Sequence, residues 1–278
     1  MEVVTTPVRL PDDILALISS KLPIRARVLM IPLVCKSWAQ VLTRRDCWKE
    51  IDLFPWIDSN DRRLRHTNLA DKREKMVRML VPRSSGLLHT LCVYGLESLS
   101  IFSLIAENGT RLRTLRIPES DITDPMVQQI AARFSMLTVL DVSKCMFLDA
   151  PGLALIGNNC RMLEELHRRM YLHFLDEVPP VYDDEATAIA STMPNLKFLD
   201  IGGHSINTEG VHMILGACSK LKRLCMWRCF NVQAQNLGLA KNRFPKLTVW
   251  GPQPTDSFIL LGYHPLEPLL LYDFDSKF

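Results

Sequence analysis

The sequence predicts an α/β fold in which a small helical module precedes a curved solenoid of short parallel strands and helices. Two observations lead to this prediction. Between residues 88 and 250 the motif Leu-x-x-Leu, or a near variant, occurs seven times at almost constant spacing. Before it, about fifty residues carry short apolar helical patterns separated by prolines. The 278 residues therefore accommodate one short module and one array, whose core grows with each unit.

The second apolar residue of each motif serves as a strand anchor and defines the repeating unit. Successive anchors are 24, 25, 26, 33, 25 and 26 residues apart, so five of the six steps fit one unit length. The anchors are Leu91, Leu115, Leu140, Leu166, Leu199, Leu224 and Trp250. This motif and period are typical of a leucine-rich repeat, in which each unit buries its apolar side by stacking on its neighbours. We assign the repeats to residues 87–251 and expect about seven units.

The unit around Leu140 shows how a strand and a helix follow each other. Leu140 and Val142 alternate with polar residues, which indicates a short strand with one buried face. Asp149 is then a candidate N-cap and Pro151 lies in the opening turn of a helix. A flat α/β sheet is the competing architecture, but it needs longer apolar strands.

The 33-residue step indicates an insertion between the fourth strand and its helix, in residues 171–184. Pro179 and Pro180 exclude a helix there, and the acidic run 183–185 is predicted to cap a helix that starts near Ala186. An inserted loop of a solenoid can lie over a binding face or be an ordinary surface loop, and the sequence leaves both open.

The N-terminal residues predict three or four small helices. The first lies between Leu10-Pro11 and Leu22-Pro23, the second around residues 26–31 and the third within residues 33–42. Another short helix is predicted to carry Trp48 and Ile51. So few residues cannot bury this much apolar surface among themselves, so we expect a partner to cover part of it.

This segment strongly resembles an F-box, the helical module that joins a protein to the Skp-type adaptor of cullin-based ubiquitin ligases. The matching positions are Leu10-Pro11, Ile14-Leu15, Ile18, Leu22-Pro23, Val34-Cys35-Lys36, Trp38 and Trp48. The middle departs from the family pattern, with Arg25-Ala26-Arg27 in place of an acidic residue and with Pro32 before Val34. We assign the F-box to residues 10–56.

The resemblance implies which residues bind the adaptor. The direct contacts would come from Leu10, Pro11, Ile14, Leu15, Ile18, Leu22 and Pro23, with Val34, Cys35 and Trp38 supporting or extending that surface. It also implies a substrate-recognition subunit of a Skp/cullin/F-box ubiquitin ligase, which binds the adaptor, and through it a cullin, by the F-box and a protein substrate by the repeats. The alternative is a leucine-rich-repeat scaffold whose N-terminal helices are only a cap.

Residues 57–86 form the predicted linker and N-terminal cap of the repeats, and residues 252–278 a C-terminal tail or cap. The basic stretch 62–66, with Lys72-Arg73 and Lys75, is either a nuclear import signal or the solvated side of a cap helix. In the second case Leu64, Met76, Met79 and Leu80 would cover the first repeat, and Glu74 would pair with Arg78.

Strand alternation predicts that the residues one before, one after and three after each anchor point to the concave face. Aromatic and Arg side chains dominate binding hot spots, which makes those at these positions, together with one histidine, the candidate substrate contacts. They are Tyr94, Arg116, His167, Arg169 and Trp227. The alternative is that they are ordinary solvated side chains.

Composition argues against several other classes of function. The formal charge of +3 comes from 33 basic and 30 acidic residues, a balance that does not favour nucleic acid as a partner. No apolar run approaches the roughly 18 residues of a membrane span. The eight cysteines include no Cys-x-x-Cys pair and follow no secretory signal, so we expect reduced thiols in a cytoplasmic or nuclear protein.

We also find no catalytic set in the sequence. The histidines form no metal-binding spacing, and no glycine-rich phosphate loop is present. We therefore expect a non-catalytic protein without a cofactor or a metal. A ligase that carries ubiquitin on its own cysteine is the enzymatic alternative, but most cysteines lie at repeat-equivalent or F-box-core positions.

Overall fold

The computed structural model describes residues 10–57, 68–170, 181, 183–233, 244 and 246–252. Its centre is one parallel sheet of eight strands, each three residues long, whose order in space follows the chain. The strands are β1 (Glu50–Asp52), β2 (Thr90–Cys92), β3 (Thr114–Arg116), β4 (Val139–Asp141), β5 (Glu165–His167), β6 (Phe198–Asp200), β7 (Arg223–Cys225) and β8 (Thr248–Trp250). Parallel pairing in chain order confirms the predicted solenoid.

The strand register places the predicted anchors side by side in the core. The pairing runs without a break from Leu91 through Leu115, Leu140, Leu166 and Leu199 to Leu224, and all six side chains are buried. Burial of each Leu contributes roughly 1.5–3 kcal/mol to folding. Because neighbouring units bury these side chains, the sheet is stable only as a stack.

The seventh anchor was predicted wrongly. Leu224 pairs with Val249, whereas Trp250 pairs with Cys225 in the next position of the strand. Because side chains alternate along a strand, the half-buried Val249 takes the inward position and Trp250 lies partly exposed on the other face.

The sheet begins earlier than the repeats suggested. Trp48 ends a 3-10 turn, Arg45–Trp48, and Ile51 is the central residue of β1, where it pairs with Leu91. The prediction of a short helix that carries Ile51 is therefore wrong. Ile51 and Trp48 are both fully buried, so the last part of the predicted F-box segment supplies the first strand of the sheet.

Short helices precede the repeats. They are α1 (Asp12–Lys21), α2 (Ile24–Leu29), α3 (Lys36–Val41), α4 (Phe54–Ile57) and α5 (Asn68–Leu80). Pro11 and Pro23 stand directly before α1 and α2, which confirms that these prolines separate helices. Pro32 lies in a 3-10 turn, Ile31–Leu33, and delays the third helix until Lys36.

The helices of the repeats each follow a strand. They are α6 (Leu99–Asn108), α7 (Asp124–Ile130), α8 (Ala150–Asn159), α9 (Asp184–Thr192) and α10 (Thr208–Ala217). Asp149 and Pro151 open α8 as predicted, and the Oδ1 atom of Asn207 caps α10 by accepting a hydrogen bond from the Gly210 amide at 3.0 Å. One continuous apolar core extends from Leu15 to Val232.

The helix α5 covers the start of the repeats. Val77 and Leu80 are buried in the core, and Glu74 accepts hydrogen bonds from the Ser98 amide at 2.8 Å and the Ser98 hydroxyl at 2.6 Å. Glu74 also pairs with Arg78 at 3.5 Å, as predicted.

Two other parts of the cap prediction have different outcomes. Met79 is exposed, so its predicted place in the cover is wrong. Leu64 and the basic stretch 62–66 lie outside the described residues.

One column of core positions contains an arginine instead of an apolar residue. The second residue after each anchor is apolar at Val93, Ile117, Val142, Ile201 and Met226, but it is Arg168 in the fifth strand's unit. Arg168 is 1% exposed and donates hydrogen bonds to the carbonyl oxygens of Cys145, at 2.8 Å, and Leu148. It therefore fixes the strand-to-helix loop of the preceding unit.

The acidic run 183–185 stands at the start of α9 as predicted, although no side chain caps the helix by a hydrogen bond, and its Glu185 also neutralises Arg168. Its carboxylate accepts hydrogen bonds from Arg168 at 2.8 and 2.9 Å and lies 3.0 Å from Nε2 of His204. Burial alone would raise the pKa of Glu185, but the hydrogen bonds from His204 and Arg168 outweigh it and lower the pKa to about 2. Asp183, at the N-cap, accepts a hydrogen bond from the Asn207 amide instead.

We expect Glu185→Gln to destabilise the protein by about 3 kcal/mol at pH 7, because it leaves the buried Arg168 charge without its partner. The folded-state pKa is lowered, so the contribution is complete above the ordinary pKa of 4.5 and disappears as the pH falls towards about 2. Urea unfolding, followed by tryptophan fluorescence between pH 7 and pH 3, measures both effects.

The matched control is Glu119→Gln, which removes the partly exposed pair with Lys144 and should cost no more than about 1 kcal/mol. Equal stability losses in the two variants, or a Glu185→Gln deficit that does not shrink at low pH, would contradict the assignment of the buried pair.

Candidate functional site

The first candidate site is the apolar outer surface of the N-terminal helices. The helix α1 turns Leu15 and Ala16 into the core and leaves Ile14, Leu17 and Ile18 exposed. Helical geometry puts these three side chains on one face. Exposed large apolar side chains at such density indicate a surface that a partner covers.

The 3-10 turn after α2 extends this exposure. Ile31 is buried, whereas Met30 is 65%, Leu33 84% and Val34 63% exposed. A three-residue turn buries one of its apolar side chains and presents the others to solvent. We name the exposed set the N-terminal apolar surface; it comprises Leu10, Ile14, Leu17, Ile18, Leu29, Met30, Leu33 and Val34.

The structure divides the predicted adaptor contacts into three groups. The exposed ones are Leu10, Pro11, Ile14, Ile18, Pro23, Val34 and Cys35. Leu22 and Trp38 are half-buried, and Trp38 packs against the core. Leu15 is 2% exposed, so its predicted direct contact is wrong and its part is to support the helix from below.

Sequence reasoning missed four members of this surface: Leu17, Leu29, Met30 and Leu33. For Leu29, Met30 and Leu33 the available signal was the unbroken apolar run from Leu29 to Val34. Pro32 ends helical periodicity in that run, so a single helix face cannot bury it.

Hydrogen bonds fix the N-terminal helices to the sheet. Arg27, in α2, is buried and donates to the carbonyl oxygens of Cys47 at 2.7 Å and Glu50 at 2.9 Å. The Leu53 amide donates to the Cys92 carbonyl oxygen at 2.8 Å and continues the ladder between β1 and β2. Arg27 belongs to the stretch that departs from the F-box pattern, and the structure gives it this anchoring part.

The second candidate site is the concave face of the sheet. The predicted contacts Tyr94, Arg116, His167, Arg169 and Trp227 are all half-buried. They lie on one face but do not form one cluster, because Tyr94 and Trp227 follow β2 and β7, five strands and about 24 Å apart. Other positions of the same face, among them Asp141 and Asp200, are buried between their neighbours.

Polar interactions hold the centre of this face in place. Asp200 pairs with Arg169 and accepts a hydrogen bond from the Gly202 amide at 3.0 Å. Asp141 accepts one from the Ser143 amide, also at 3.0 Å. Burial opposes the charge of Arg169, but the attraction and hydrogen bond of Asp200 outweigh it and raise the pKa of the guanidinium. These charges are arranged in advance of any binding.

His167 lies between Asp141 and Asp200 in the strand register, and its ring is 4.8 Å from that of Phe198. Burial lowers the pKa of His167, despite the two carboxylates, so the imidazole is neutral at neutral pH. It offers a partner a flat, uncharged ring.

Tyr94 has neighbours from the N-terminal part of the chain. The Arg73 guanidinium lies over its ring, 4.1 Å from the centroid, and the ring of Phe54 is 6.0 Å away. The cap helix α5 therefore covers part of the surface at the first repeat. As a result, less of the Tyr94 ring is available to a substrate than the sequence suggested.

Seven of the eight cysteines are buried, and only Cys35 is exposed. The predicted interior positions are confirmed: the thiol of Cys145 donates to the Ile117 carbonyl oxygen at 3.3 Å, and that of Cys229 to the Ile201 carbonyl oxygen at 3.0 Å. Burial raises the pKa of Cys145 and Cys229 to about 12, so these thiols stay protonated and are poor nucleophiles at neutral pH.

In the described part of the chain, no group of three or more His, Cys, Asp or Glu side chains is arranged to hold a metal ion. No helix within these same ranges has the length and apolar character needed to cross a membrane.

The fold and the N-terminal surface define a class of protein: an F-box module that continues directly into leucine-rich repeats. The family model of the F-box domain matches residues 8–50. F-box protein FBW2 of Arabidopsis thaliana is 41% identical over 242 residues, which are 87% of this chain and 73% of the relative. F-box protein SKIP19 of the same plant is 31% identical over 244 residues, 87% of this chain and 75% of the relative.

The name of a third relative contains both modules. Putative F-box/LRR-repeat protein 23 of Arabidopsis thaliana is 31% identical over 202 residues, which are 72% of this chain and 42% of the relative. The chain belongs to this plant family of F-box proteins with leucine-rich repeats. Among solved structures it is similar to a chain of the Rad7 and Elc1 complex in yeast, with 16% sequence identity and a TM-score of 0.41. The similarity covers 64% of this chain and 51% of the yeast chain. The family assignment rests on the sequence relatives.

We expect a maleimide reagent to label one thiol rapidly in the folded protein, at Cys35, because the other seven are buried. Intact-mass spectrometry over time measures the number of labels, and Cys35→Ser should remove the fast phase. A second fast-reacting cysteine would contradict the described burial.

Proposed function

We propose that this chain is a non-catalytic substrate-recognition subunit of a Skp/cullin/F-box ubiquitin ligase. Its F-box binds a Skp-type adaptor and through it a cullin, and its repeats bind a protein. Other subunits perform the ubiquitin chemistry, and the chain needs no cofactor. The observation that supports this function best is the N-terminal apolar surface, because it lies within the residues that match the F-box domain and has no cover in the described part of the chain.

The continuous sheet supports the receptor role. The first strand, β1, belongs to the F-box end and is hydrogen-bonded to β2 of the repeats. From β1 to β8 the sheet spans seven strand spacings, about 34 Å. An adaptor on the N-terminal helices and a protein on the concave face would therefore be held at a fixed distance.

The alternative is that the helices only cap a leucine-rich-repeat scaffold. The hydrogen bonds of β1 favour a capping contribution. A cap alone does not explain Met30, Leu33 and Val34, which face solvent where a cap would present polar side chains.

We place the protein in the cytoplasm, the nucleus or both, which agrees with eight free thiols and no disulfide. Imaging of a fluorescent fusion tests this location, and a signal confined to secretory compartments would contradict it.

The apolar surface can be tested by introducing charge. We expect Leu33→Asp with Val34→Asp to weaken binding to a Skp-type adaptor at least tenfold, because both side chains are exposed in the free chain and buried in the proposed complex. Isothermal titration with the purified intact chain measures the affinity.

The matched control is Met146→Asp with Phe147→Asp, which changes two exposed apolar side chains in the repeats. It should bind the adaptor as the unchanged chain does. If the unchanged chain does not bind the adaptor, or if both double variants lose binding equally, the capping alternative is favoured.

The concave face can be tested on a protein captured together with the chain when the proteasome is inhibited. We expect Trp227→Ala and Arg116→Glu to lose that capture and to retain adaptor binding, because their positions flank the polar centre of the face. Quantitative mass spectrometry of the captured protein provides the measurement. Met213→Ala, on the outer helix α10, is the control. Unchanged capture by the first two variants would show that the protein binds elsewhere.

A further inference from the structure

A row of side chains crosses the sheet at the edge where the strands begin. Each member stands two residues before its strand anchor, and its backbone is bonded to the next one: the Arg113 amide donates to the His89 carbonyl oxygen, and the Lys222 amide to the Lys197 carbonyl oxygen, both at 2.8 Å. The row comprises Lys49, His89, Arg113, Thr138, Glu164, Lys197 and Lys222. Its members are therefore one strand, about 4.8 Å, apart.

Cations exceed carboxylates along this edge. The five residues before each of the eight central strand residues include nine Lys or Arg and four Asp or Glu, an excess of five positive charges, although the whole chain has a formal charge of only +3. We name the nine the basic edge; they are Lys49, Arg111, Arg113, Arg161, Lys197, Lys220, Lys222, Arg223 and Lys246.

Helix capping does not account for the basic edge. The helices end on this side of the sheet, and positive charges in a last helical turn would stabilise their negative ends. The last turns of α6, α9 and α10, however, contain no basic residue. The cations Arg113, Lys197 and Lys222 each come five residues after a helix has ended, beyond the range of that effect.

Several of these cations have no anionic neighbour among residues 10–57, 68–170, 183–233 and 246–252. Lys197 pairs with Glu164 at 2.6 Å, and Arg223 lies 3.7 Å from Glu165. Within those ranges, no ion pair and no side-chain hydrogen bond involves four other cations, all of them exposed: Arg111, Arg113, Lys222 and Lys246. Among the described residues, nothing therefore competes with an external anion for these side chains.

Eight of the nine cations fall into two groups, and the ninth, Arg161, precedes β5 close to Glu164 and Glu165. One consists of Lys49, Arg111 and Arg113 beside β1 to β3, and the other lies beside β6 to β8. Three strand spacings, about 14 Å, separate Arg113 from Lys197, and Glu164 and Glu165 lie between the groups. Repulsion within the first group is evident at His89, whose pKa is lowered by burial and then by Arg113 and Lys49.

We propose that the basic edge binds an extended acidic segment of the protein that the repeats recruit; this inference rests on the proposed function and specifies the chemistry of the recruited partner. The edge is about 34 Å long, which an extended chain of about ten residues spans. The segment carries its Asp and Glu residues in two runs, one for each cationic group, with neutral residues opposite Glu164 and Glu165. Carboxylates satisfy the unpaired Arg and Lys donors by charge-assisted hydrogen bonds.

A peptide fits the edge better than a nucleic acid does. A phosphate backbone is evenly charged and would meet Glu164 and Glu165 at the centre. Proteins that bind single strands also offer free aromatic rings for the bases. At this edge the ring of Phe198 is already occupied by His167, at 4.8 Å, and by the Arg223 guanidinium, at 4.7 Å.

The test uses the intact chain and a fluorescein-labelled peptide of ten residues, with three acidic residues at each end and four Gly or Ser between them. Fluorescence anisotropy at 50 and 150 mM salt measures its affinity. We expect Arg111→Glu with Arg113→Glu, and separately Lys222→Glu with Lys246→Glu, to weaken binding at least tenfold. A peptide of the same composition with its six acidic residues together at the centre should bind more weakly than the split peptide.

The matched control is Lys72→Glu with Lys75→Glu, which makes the same change in net charge on exposed residues of α5 and should stay within twofold of the unchanged chain. Absence of peptide binding at 50 mM salt, equal weakening by the control, or tighter binding of a ten-nucleotide single-stranded RNA with the same residue dependence would overturn the proposal. The assay needs no adaptor, so Leu33→Asp with Val34→Asp should leave peptide affinity unchanged. Failure of the ligase function is therefore distinguishable from failure of the basic edge.

Discussion

Each strand of the sheet is only three residues long, so it is held by the hydrogen bonds and buried anchors of the strands on either side. The unbroken register from Ile51 to Val249 is the constraint on which the other features depend. It fixes which side chains enter the core, which line the concave face and which form a row at the edge. It also makes stability a property of the stack, because one unit alone leaves its apolar side exposed.

The same ladder joins the two parts of the molecule. The strand β1 begins at Glu50, where the F-box match ends, and Arg27 donates hydrogen bonds to the carbonyl oxygens of Cys47 and Glu50. The N-terminal helices can therefore keep a large apolar area exposed without losing their position, since the sheet supports them from below. A receptor that must hold a partner at each end benefits from such rigidity, because little orientational freedom is lost when both bind. Arg168 serves a comparable purpose inside the solenoid: its ion pair with Glu185 joins the chain before and after the predicted insertion, residues 171–184.

Periodicity alone predicted the solenoid, six anchors, the outer helices and the proline boundaries, because these follow from burial repeated at one spacing. It failed where either of two neighbouring apolar residues could have been the buried strand anchor. Val249 and Trp250 are both apolar, and only the ladder selects Val249. Ile51 was assigned to a helix instead of a strand because Trp48 replaces the first Leu of its motif, although the spacing of three residues is the same. The partners of Arg168 and Arg169 are distant in sequence, so their ion pairs had no local signal. For the N-terminal surface, the pattern identified the segment but could not separate the buried Leu15 from the exposed Leu33.

The central claim is that the F-box and the repeats form one continuous sheet with the adaptor surface outside it. Hydrogen–deuterium exchange of the intact chain, alone and with a Skp-type adaptor, tests this claim most directly. The claim predicts that the amides of β1 exchange as slowly as those of β2 to β4, and that the adaptor slows exchange within residues 10–36 while the strands of the repeats do not change. Fast exchange in β1 beside slow exchange in β2, or protection by the adaptor along the strands of the repeats, would contradict it.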